Sequence, residues 1–136
     1  MATIRYATRI AITGANGQLG TSLQSILTHH QVLALTRPDF DVTNEKITAL
    51  IADLEPDLVI HCAAITDVDD CERDPDYAFR VNADGTKNVA SACQRSGAAM
   101  VYISTDYVFD GTKEGPYLEG DKPDPINVYG ASKLAG

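Results

Sequence analysis

Tyr129 and Lys133 lie four positions apart near the end of a chain of 136 residues. At that spacing two side chains share one face of an α-helix and can reach the same pocket. A free phenol has a pKa of roughly 10, and a neighbouring cation favours its anion. The pair therefore predicts a proton donor, with Tyr129 giving the proton and Lys133 stabilising the tyrosinate. Two solvated side chains on a helix show the same spacing, so the preceding residues must decide between these interpretations.

A glycine-rich segment, TGANGQLG at positions 13–20, follows the first apolar run. Its glycines, Gly14, Gly17 and Gly20, recur every third residue where a strand is predicted to give way to a helix. Glycine lets a backbone approach a pyrophosphate, and a helix N-terminus offers free amides with positive partial charge. The pattern is GxxGxxG rather than GxGxxG. Its place between strand and helix favours dinucleotide binding over an ordinary glycine-rich turn.

The tip of the second predicted strand bears on the choice of cofactor. An acidic residue there would bind a ribose 2′-hydroxyl, whereas an arginine accommodates a 2′-phosphate. The sequence has Thr36 and Arg37 at this point, which favours NADP(H), and nearby Asp39 leaves NAD(H) open. Asp41 and Val42 follow, where a carboxylate beside the adenine amino group and a side chain packed on the ring are expected. Alternatively, Asp41 or Thr43 caps the next helix, a role that is compatible with the first.

Small and hydroxyl side chains end the third and fourth predicted strands. Ala63 and Ala64 form a small-residue shelf beside a cofactor, because parallel sheets bind ligands at the carboxyl ends of their strands. Ser104 and Thr105 end the fourth strand at the same edge, where a hydroxyl would hydrogen bond to a substrate carbonyl. A hydroxyl in that position is also a common turn or cap residue.

Apolar runs alternate with helical periodicity along the chain. Strands are predicted over Arg9–Thr13, Val32–Leu35, Asp57–Ala64 and Ala99–Ser104, and helices over Gly17–Leu27, Thr43–Leu54 and Tyr77–Ser96. This alternation predicts one α/β domain over 1–136, a Rossmann-like doubly wound parallel sheet with helices on both faces. The expected strand order is three, two, one, four. A long irregular loop over 106–127, rich in glycine and proline, precedes the Tyr129 helix.

Composition limits the classes of partner. The net charge of −8 and a pI of about 4.6 argue against nucleic acid or an acidic membrane. The three cysteines lack ligand spacing, and no long apolar segment occurs, so we expect a reduced, cytoplasmic protein without a membrane anchor. The histidines are interpreted as structural. The acidic cluster between Asp67 and Asp74 is interpreted as capping and solvating a helix start, and no metal site is predicted.

Taken together, the motifs resemble the extended short-chain dehydrogenase/reductases, and within them the dTDP-4-dehydrorhamnose reductase family. The resemblance rests on GANGQLG at 14–20, AAITDVD at 63–69, VN at 81–82, STDYVFDG at 104–111 and YGASKLAG at 129–136. It implies NADPH-dependent reduction of dTDP-4-dehydro-L-rhamnose to dTDP-L-rhamnose, with a nucleotide-sugar substrate and the option of a homodimer. It also implies that this chain corresponds to the front half of such an enzyme, and that alone it is inactive.

The resemblance assigns roles to particular residues. The implied catalytic set is Thr105, Tyr129 and Lys133. The cofactor-binding residues are Gly14, Asn16, Gly17, Gln18, Leu19, Gly20, Arg37, Asp41, Val42, Ala63, Ala64, Thr66, Tyr129 and Lys133. The substrate-binding residues are Thr105, Asp106 and Tyr107.

Two departures and two alternatives accompany this interpretation. Ile65 replaces a tyrosine common in the family, which affects one contact near the cofactor. Ser22 stands where some members have a glutamate used in a magnesium-linked dimer, so that metal site is not carried over. The alternatives are a nucleotide-sugar epimerase or dehydratase of the same superfamily, and a non-catalytic NADP-binding regulatory subunit.

Overall fold

Four parallel strands with helices packed against them make up the computed structural model, which describes residues 7–136. The strands are β1 (Arg9–Thr13), β2 (Gln31–Leu35), β3 (Leu58–His61) and β4 (Ala99–Tyr102). The helices are α1 (Gln18–Ile26), α2 (Ile47–Asp53), α3 (Val68–Arg73), α4 (Pro75–Phe79), α5 (Gly85–Ser96) and α6 (Val128–Ala135). A π turn (Arg80–Asp84) joins α4 to α5, and a 3-10 turn spans Asp106–Val108. The predicted Rossmann-like α/β class is confirmed.

The order of the strands differs from the prediction. The sheet runs β2-β1-β3-β4, so the expected order three, two, one, four is wrong. The reason is burial: Val59, Ile60 and His61 of β3 are buried, and a buried strand favours an interior position with a partner at each edge. β2, which has Gln31 and Ala34 exposed, takes an edge of the sheet instead, so β1 lies between β2 and β3. The chain therefore crosses over β1, and a ligand crevice is expected beyond the carboxyl ends of β1 and β3.

Several element boundaries also differ. β3 ends at His61 rather than at Ala64, because the backbone beyond it leaves the ladder and Ile65 hydrogen bonds to the side chain of Asn82 instead. α2 begins at Ile47 rather than at Thr43. Asp41 and Asn44 each accept a hydrogen bond from the backbone two residues on, at Thr43 and Lys46, and such turns compete with the helix.

The predicted helix over Tyr77–Ser96 is longer and is interrupted. It begins at Pro75, with the Asp74 carboxylate accepting from the Tyr77 amide as an N-cap, and it passes through the π turn before ending at Gly97. A short preceding helix, α3, was not predicted. Its N-cap is Asp67, which accepts from the Asp70 amide. The acidic cluster therefore caps helices, as the sequence indicated.

Apolar side chains fill both sides of the sheet. On the α2 and α5 side the buried cluster consists of Ala11, Leu35, Val42, Ile47, Ile51, Val59, Val81, Val89, Ala92 and Cys93. On the other side it consists of Ile10, Ile12, Ala15 and Ile60, with Leu23 and Leu27 of the α1 region packed against it. Within residues 7–136, none of the helices combines the length and apolar character needed to cross a bilayer.

The long segment between β4 and α6 is irregular beyond its 3-10 turn, as predicted. The rings of Phe109 and Tyr117 stack with centroids 4.1 Å apart, and the Tyr117 hydroxyl donates to Asp110 over 3.0 Å. The Asp124 amide donates to the Val108 carbonyl over 2.9 Å, which brings the chain back to the 3-10 turn just before α6. These contacts order the loop that leads to Tyr129.

Candidate functional site

Two adjoining clefts lie at the carboxyl ends of β1 and β3. The first is lined by Gly14, Asn16, Gly17, Arg37, Phe40, Asp41, Val42, Cys62, Ala63, Ala64, Ile65, Tyr77 and Val81. The second is lined by Gly14, Gly17, Gln18, Leu19, Gly20, His61, Cys62, Ala64, Thr66, Ile103, Ser104, Tyr129 and Lys133. They share the glycine turn and the residues after β3. Every predicted cofactor-binding residue lines at least one of them.

The glycine turn is shaped by close backbone contact. Gly14 has φ of +62°, and a Cβ there would lie 2.8 Å from the Cα and N atoms of Ala63. A Cβ on Gly20 would lie 2.6 Å from the Ala15 Cα. Both positions require glycine, one because its backbone is left-handed and crowded and the other because the helix begins against the turn. The two glycines hold β1, α1 and the shelf after β3 close together.

The N-terminus of α1 opens onto both clefts. Its N-cap, Gly17, supplies no side-chain hydrogen bond, and no acidic residue lies in the first turn. The first amides of a helix have no partner within the helix, and they carry positive partial charge. A helix of nine residues whose N-terminus lies uncapped in a cleft fits a pyrophosphate group.

Arg37 and Asp41 line the end of the first cleft beyond β2. The Arg37 guanidinium lies 3.5 Å from the Tyr77 hydroxyl. Asp41 Oδ1 accepts from the Thr43 amide and hydroxyl at 2.9 and 2.8 Å, and these bonds, the backbone one first, lower the pKa of the Asp41 carboxyl. Asp41 therefore forms a local turn and does not cap α2. Val42 is 5% exposed.

The shelf after β3 is clamped by Asn82 from the π turn. Asn82 Oδ1 accepts from the Ile65 amide at 2.8 Å, and Nδ2 donates to the Ile65 carbonyl at 2.9 Å. The same Nδ2 donates to Ser132 Oγ at 2.9 Å, and that hydroxyl donates to the Tyr129 carbonyl. Asn82 is 1% exposed and Ser132 fully buried. One side chain thus joins the shelf beside the cleft to the helix that carries Tyr129.

His61 forms a second buried connection. Thr86 Oγ1 donates its single proton to the Asn82 carbonyl, so it must act as the acceptor toward His61 Nε2, 3.0 Å away. His61 Nε2 therefore carries a proton. Nδ1 then accepts from the Thr13 hydroxyl at 2.7 Å. Burial, followed by the nearby Lys133 charge, lowers the His61 pKa to about 4, in keeping with this neutral tautomer. The structural role predicted for His61 agrees with this arrangement.

Tyr129 and Lys133 lie on α6, whose N-cap Asn127 accepts from the Gly130 amide at 2.7 Å. Both side chains line the second cleft. The Tyr129 ring meets the Tyr107 ring edge to face at 5.5 Å, and Lys133 is 5% exposed. Burial lowers the Lys133 pKa to about 8, although the neighbouring Cys62 favours the charged form. The helical pairing predicted from the spacing is therefore present and opens toward the glycine turn.

Thr105, Asp106 and Tyr107 are placed beside the second cleft without lining it. Thr105 Oγ1 accepts from the Tyr107 amide at 3.2 Å, capping the 3-10 turn, and donates to Asp106 Oδ1 at 3.3 Å. A Cβ on Gly130 would overlap the Tyr107 carbonyl, so this turn packs directly on α6. The neighbouring hydroxyl, Ser104, is the one that lines the cleft. The catalytic and substrate roles of these three residues stay predictions.

Sequence reasoning missed several residues that line the clefts. They are Phe40, Cys62, Tyr77, Val81 and Ile103, together with His61, which had been given a structural role only. Cys62 has a signal, because it directly precedes the two alanines at the end of a predicted strand. Tyr77 has none: it arrives from α4 through tertiary packing. Among residues 7–136 no group of three or more histidine, cysteine, aspartate or glutamate side chains is arranged to hold a metal ion.

Comparisons with known proteins identify a family. The family model described as the RmlD substrate binding domain matches residues 8–136. A curated dTDP-4-dehydrorhamnose reductase of Sinorhizobium fredii is 43% identical over 130 residues, covering 94% of this chain and 44% of that protein. One from Burkholderia thailandensis is 45% identical over 130 residues, with the same coverage.

A solved structure agrees with these relatives. The crystal structure of dTDP-4-dehydrorhamnose reductase from Bacillus anthracis in complex with NADP matches with a TM-score of 0.93 and 44% identity. The match covers 98% of this chain and 49% of that one. The chain thus spans slightly less than half the length of the proteins it resembles.

Proposed function

The chain belongs to the RmlD substrate binding domain family, and on that premise we propose that it forms the cofactor-binding part of an NADP(H)-dependent nucleotide-sugar reductase. The proposed reaction is reduction of dTDP-4-dehydro-L-rhamnose to dTDP-L-rhamnose, in line with the names of the curated relatives. One observation carries the proposal: Tyr129 and Lys133 line the same cleft as the glycine turn and the uncapped N-terminus of α1.

The described residues fit a dinucleotide along the two clefts. The glycine turn and the first amides of α1 would hold the pyrophosphate, because Gly14 has no room for a side chain and Gly17 adds no competing cap. Arg37 would pair with a 2′-phosphate, and Ala63 and Ala64 would leave space for the ribose and nicotinamide. When bound, the nicotinamide supplies the hydride.

The polypeptide would supply the proton and its placement. Tyr129 would donate its phenolic proton to the carbonyl oxygen of the sugar, and the Lys133 ammonium would stabilise the resulting tyrosinate. Thr105 has one hydroxyl proton, now shared with Asp106 over 3.3 Å. It can turn this proton to the substrate carbonyl while its oxygen still accepts from the Tyr107 amide.

Cofactor binding tests the first half of the proposal on the chain itself. NADPH and NADH are titrated against the 136-residue protein by nucleotide fluorescence, with Arg37→Ala and the exposed control Arg95→Ala. We expect NADPH to bind more tightly than NADH, and Arg37→Ala to weaken NADPH about tenfold with NADH unchanged, because only NADPH has the 2′-phosphate. Preference for NADH would instead favour the epimerase or dehydratase alternative.

Turnover tests the second half. The chain is joined to the remaining portion of a matching dTDP-4-dehydrorhamnose reductase, and NADPH absorbance is followed with a 4-keto-6-deoxy sugar nucleotide. Steady oxidation of NADPH by this chimaera supports a reductase. Tight NADPH binding without turnover, under conditions where the parent reductase is active, would favour a regulatory subunit.

A further inference from the structure

We propose that Tyr102, on β4, is a positioning residue for Lys133. The Lys133 ammonium lies over its aromatic ring, and its hydroxyl hydrogen bonds to the backbone carbonyl of the same residue. The inference rests on the role proposed above for Lys133 and adds the group that aims this side chain. No motif of the sequence singled out Tyr102, which lies just before the Ser104 to Gly111 run.

Two contacts join the residues. Lys133 Nζ lies 4.2 Å from the centroid of the Tyr102 ring, within the range in which a cation is attracted to an aromatic face. The Tyr102 hydroxyl donates to the Lys133 carbonyl over 2.9 Å. Burial raises the pKa of the Tyr102 phenol, so the hydroxyl keeps the proton that it donates. One side chain from the sheet therefore holds both ends of the lysine.

The Tyr102 ring is itself supported from behind. It stacks on the His61 imidazole with centroids 5.9 Å apart and planes 24° from parallel. His61 is held at both ring nitrogens by Thr13 and Thr86. Because His61 is neutral, it does not repel the ammonium beyond the ring. The order of contact is thus His61, Tyr102, Lys133, running from the buried network to the cleft.

This support matters because a lysine side chain has four rotatable bonds and a compact, strongly hydrated charge. Burial disfavours the Lys133 ammonium and lowers its pKa to about 8. The titratable groups around it are Cys62 and His61 at the end of β3, Tyr102 on β4, and Tyr129 on its own helix. The negative face of the Tyr102 ring opposes the effect of burial by favouring the charged form. It also restricts the ammonium to one side of the cleft.

Fluorination of the ring tests the contact without changing its shape. Phenylalanine and a trifluorinated phenylalanine are placed at position 102, and the Lys133 pKa is followed through the Cε signals of carbon-13-labelled lysine, assigned with Lys133→Met. Fluorine withdraws electron density from the ring face, so we expect the Lys133 pKa to be lower by about one in the fluorinated protein than in Tyr102→Phe. Equal pKa values in these two proteins would overturn the proposal.

A matched control comes from the same chain. Lys113 Nζ lies 5.8 Å from the Tyr117 ring centroid, in the loop before α6. The same two substitutions at position 117 should leave the Lys133 pKa unchanged, and a shift there equal to that at position 102 would mean that fluorination acts through the fold.

The hydroxyl is tested by hydrogen exchange. Relative to the native chain, Tyr102→Phe should speed exchange of the α6 amides about fivefold, as expected for loss of one hydrogen bond. Unchanged exchange would remove the hydroxyl from the proposal. None of these measurements needs turnover, so failure of the proposed reductase activity and failure of the Tyr102 contact are separate results.

Discussion

Asn82, in the π turn between α4 and α5, donates a hydrogen bond from Nδ2 to Ser132 Oγ on α6 over 2.9 Å. The two residues are 50 positions apart, and both are buried. Because Asn82 also holds the amide and carbonyl of Ile65, the shelf beside the first cleft and the helix of Tyr129 share one anchor. The distance between the segment after β3 and the helix of Tyr129 therefore depends on this side chain.

Replacing Asn82 by alanine should destabilise the chain strongly. Its loss leaves the partly buried Ile65 amide without its partner and removes one donor from both the Ile65 carbonyl and Ser132 Oγ, so we expect a fall of about 3 kcal/mol in the free energy of unfolding. The control is Asn88→Ala, because the Asn88 amide makes one half-buried bond, to the Val42 carbonyl. That variant should lose about 1 kcal/mol. Urea unfolding measures both, and equal losses would contradict the anchoring role.

Gly14→Ala should weaken both folding and cofactor binding. The substitution meets a left-handed backbone and the nearby Ala63 atoms, whereas Gly97, with φ of +77°, has open space around it. Gly97→Ala should therefore lower the free energy of unfolding by about 1 kcal/mol, because only the left-handed backbone disfavours alanine there. The NADPH dissociation constant should be unchanged. We expect Gly14→Ala to lower the free energy of unfolding by more than this. It should also raise the NADPH dissociation constant, measured by nucleotide fluorescence. Matching behaviour of the two variants would show that crowding at Gly14 is unimportant.

Tyr129→Phe should lower turnover in the chimaera about 100-fold to 10,000-fold, the usual contribution of a positioned proton donor. NADPH affinity should stay within about twofold, because the ring and its contact with Tyr107 are retained. The matched control, Tyr117→Phe, removes a hydroxyl that donates to Asp110 outside both clefts. NADPH absorbance measures turnover, and full activity of Tyr129→Phe would remove this residue from the mechanism.

His61 should contribute to loss of stability in acid. The unfolded imidazole takes up a proton near pH 6.5 and the folded one near pH 4, so between these values the unfolded state binds more protons. Stability that is present above pH 6.5 is therefore lost as the pH falls toward 4. His61→Asn should reduce the change in unfolding free energy with pH by up to about 1.4 kcal/mol per pH unit. His29→Asn, at an exposed position, should leave this slope as it is. Urea unfolding between those pH values measures the slopes, and equal slopes would argue against a neutral buried His61.

Much of the local structure was predictable because its causes are local. The apolar run ending at Thr13 and the spacing of Leu19, Leu23 and Leu27 predict β1 and α1 from neighbouring residues alone. The boundaries were less secure. β3 ended earlier than predicted because Ile65 found its partners on Asn82, a residue 17 positions away. The strand order also depended on distant segments, since β3 rather than β4 pairs with β1 on the side opposite β2.

The sequence by itself determined the types and spacing of the groups at the site: the glycines of the turn, the alanine shelf, and Tyr129 with Lys133 on one helix face. Periodicity and backbone freedom act over a few residues, so they can be read along the chain. Only the tertiary structure decided that Tyr102 lies under Lys133, that Asn82 joins Ile65 to Ser132, and that Ser104 rather than Thr105 lines the cleft. These relationships arise when separate elements pack and bury polar groups that must then find partners.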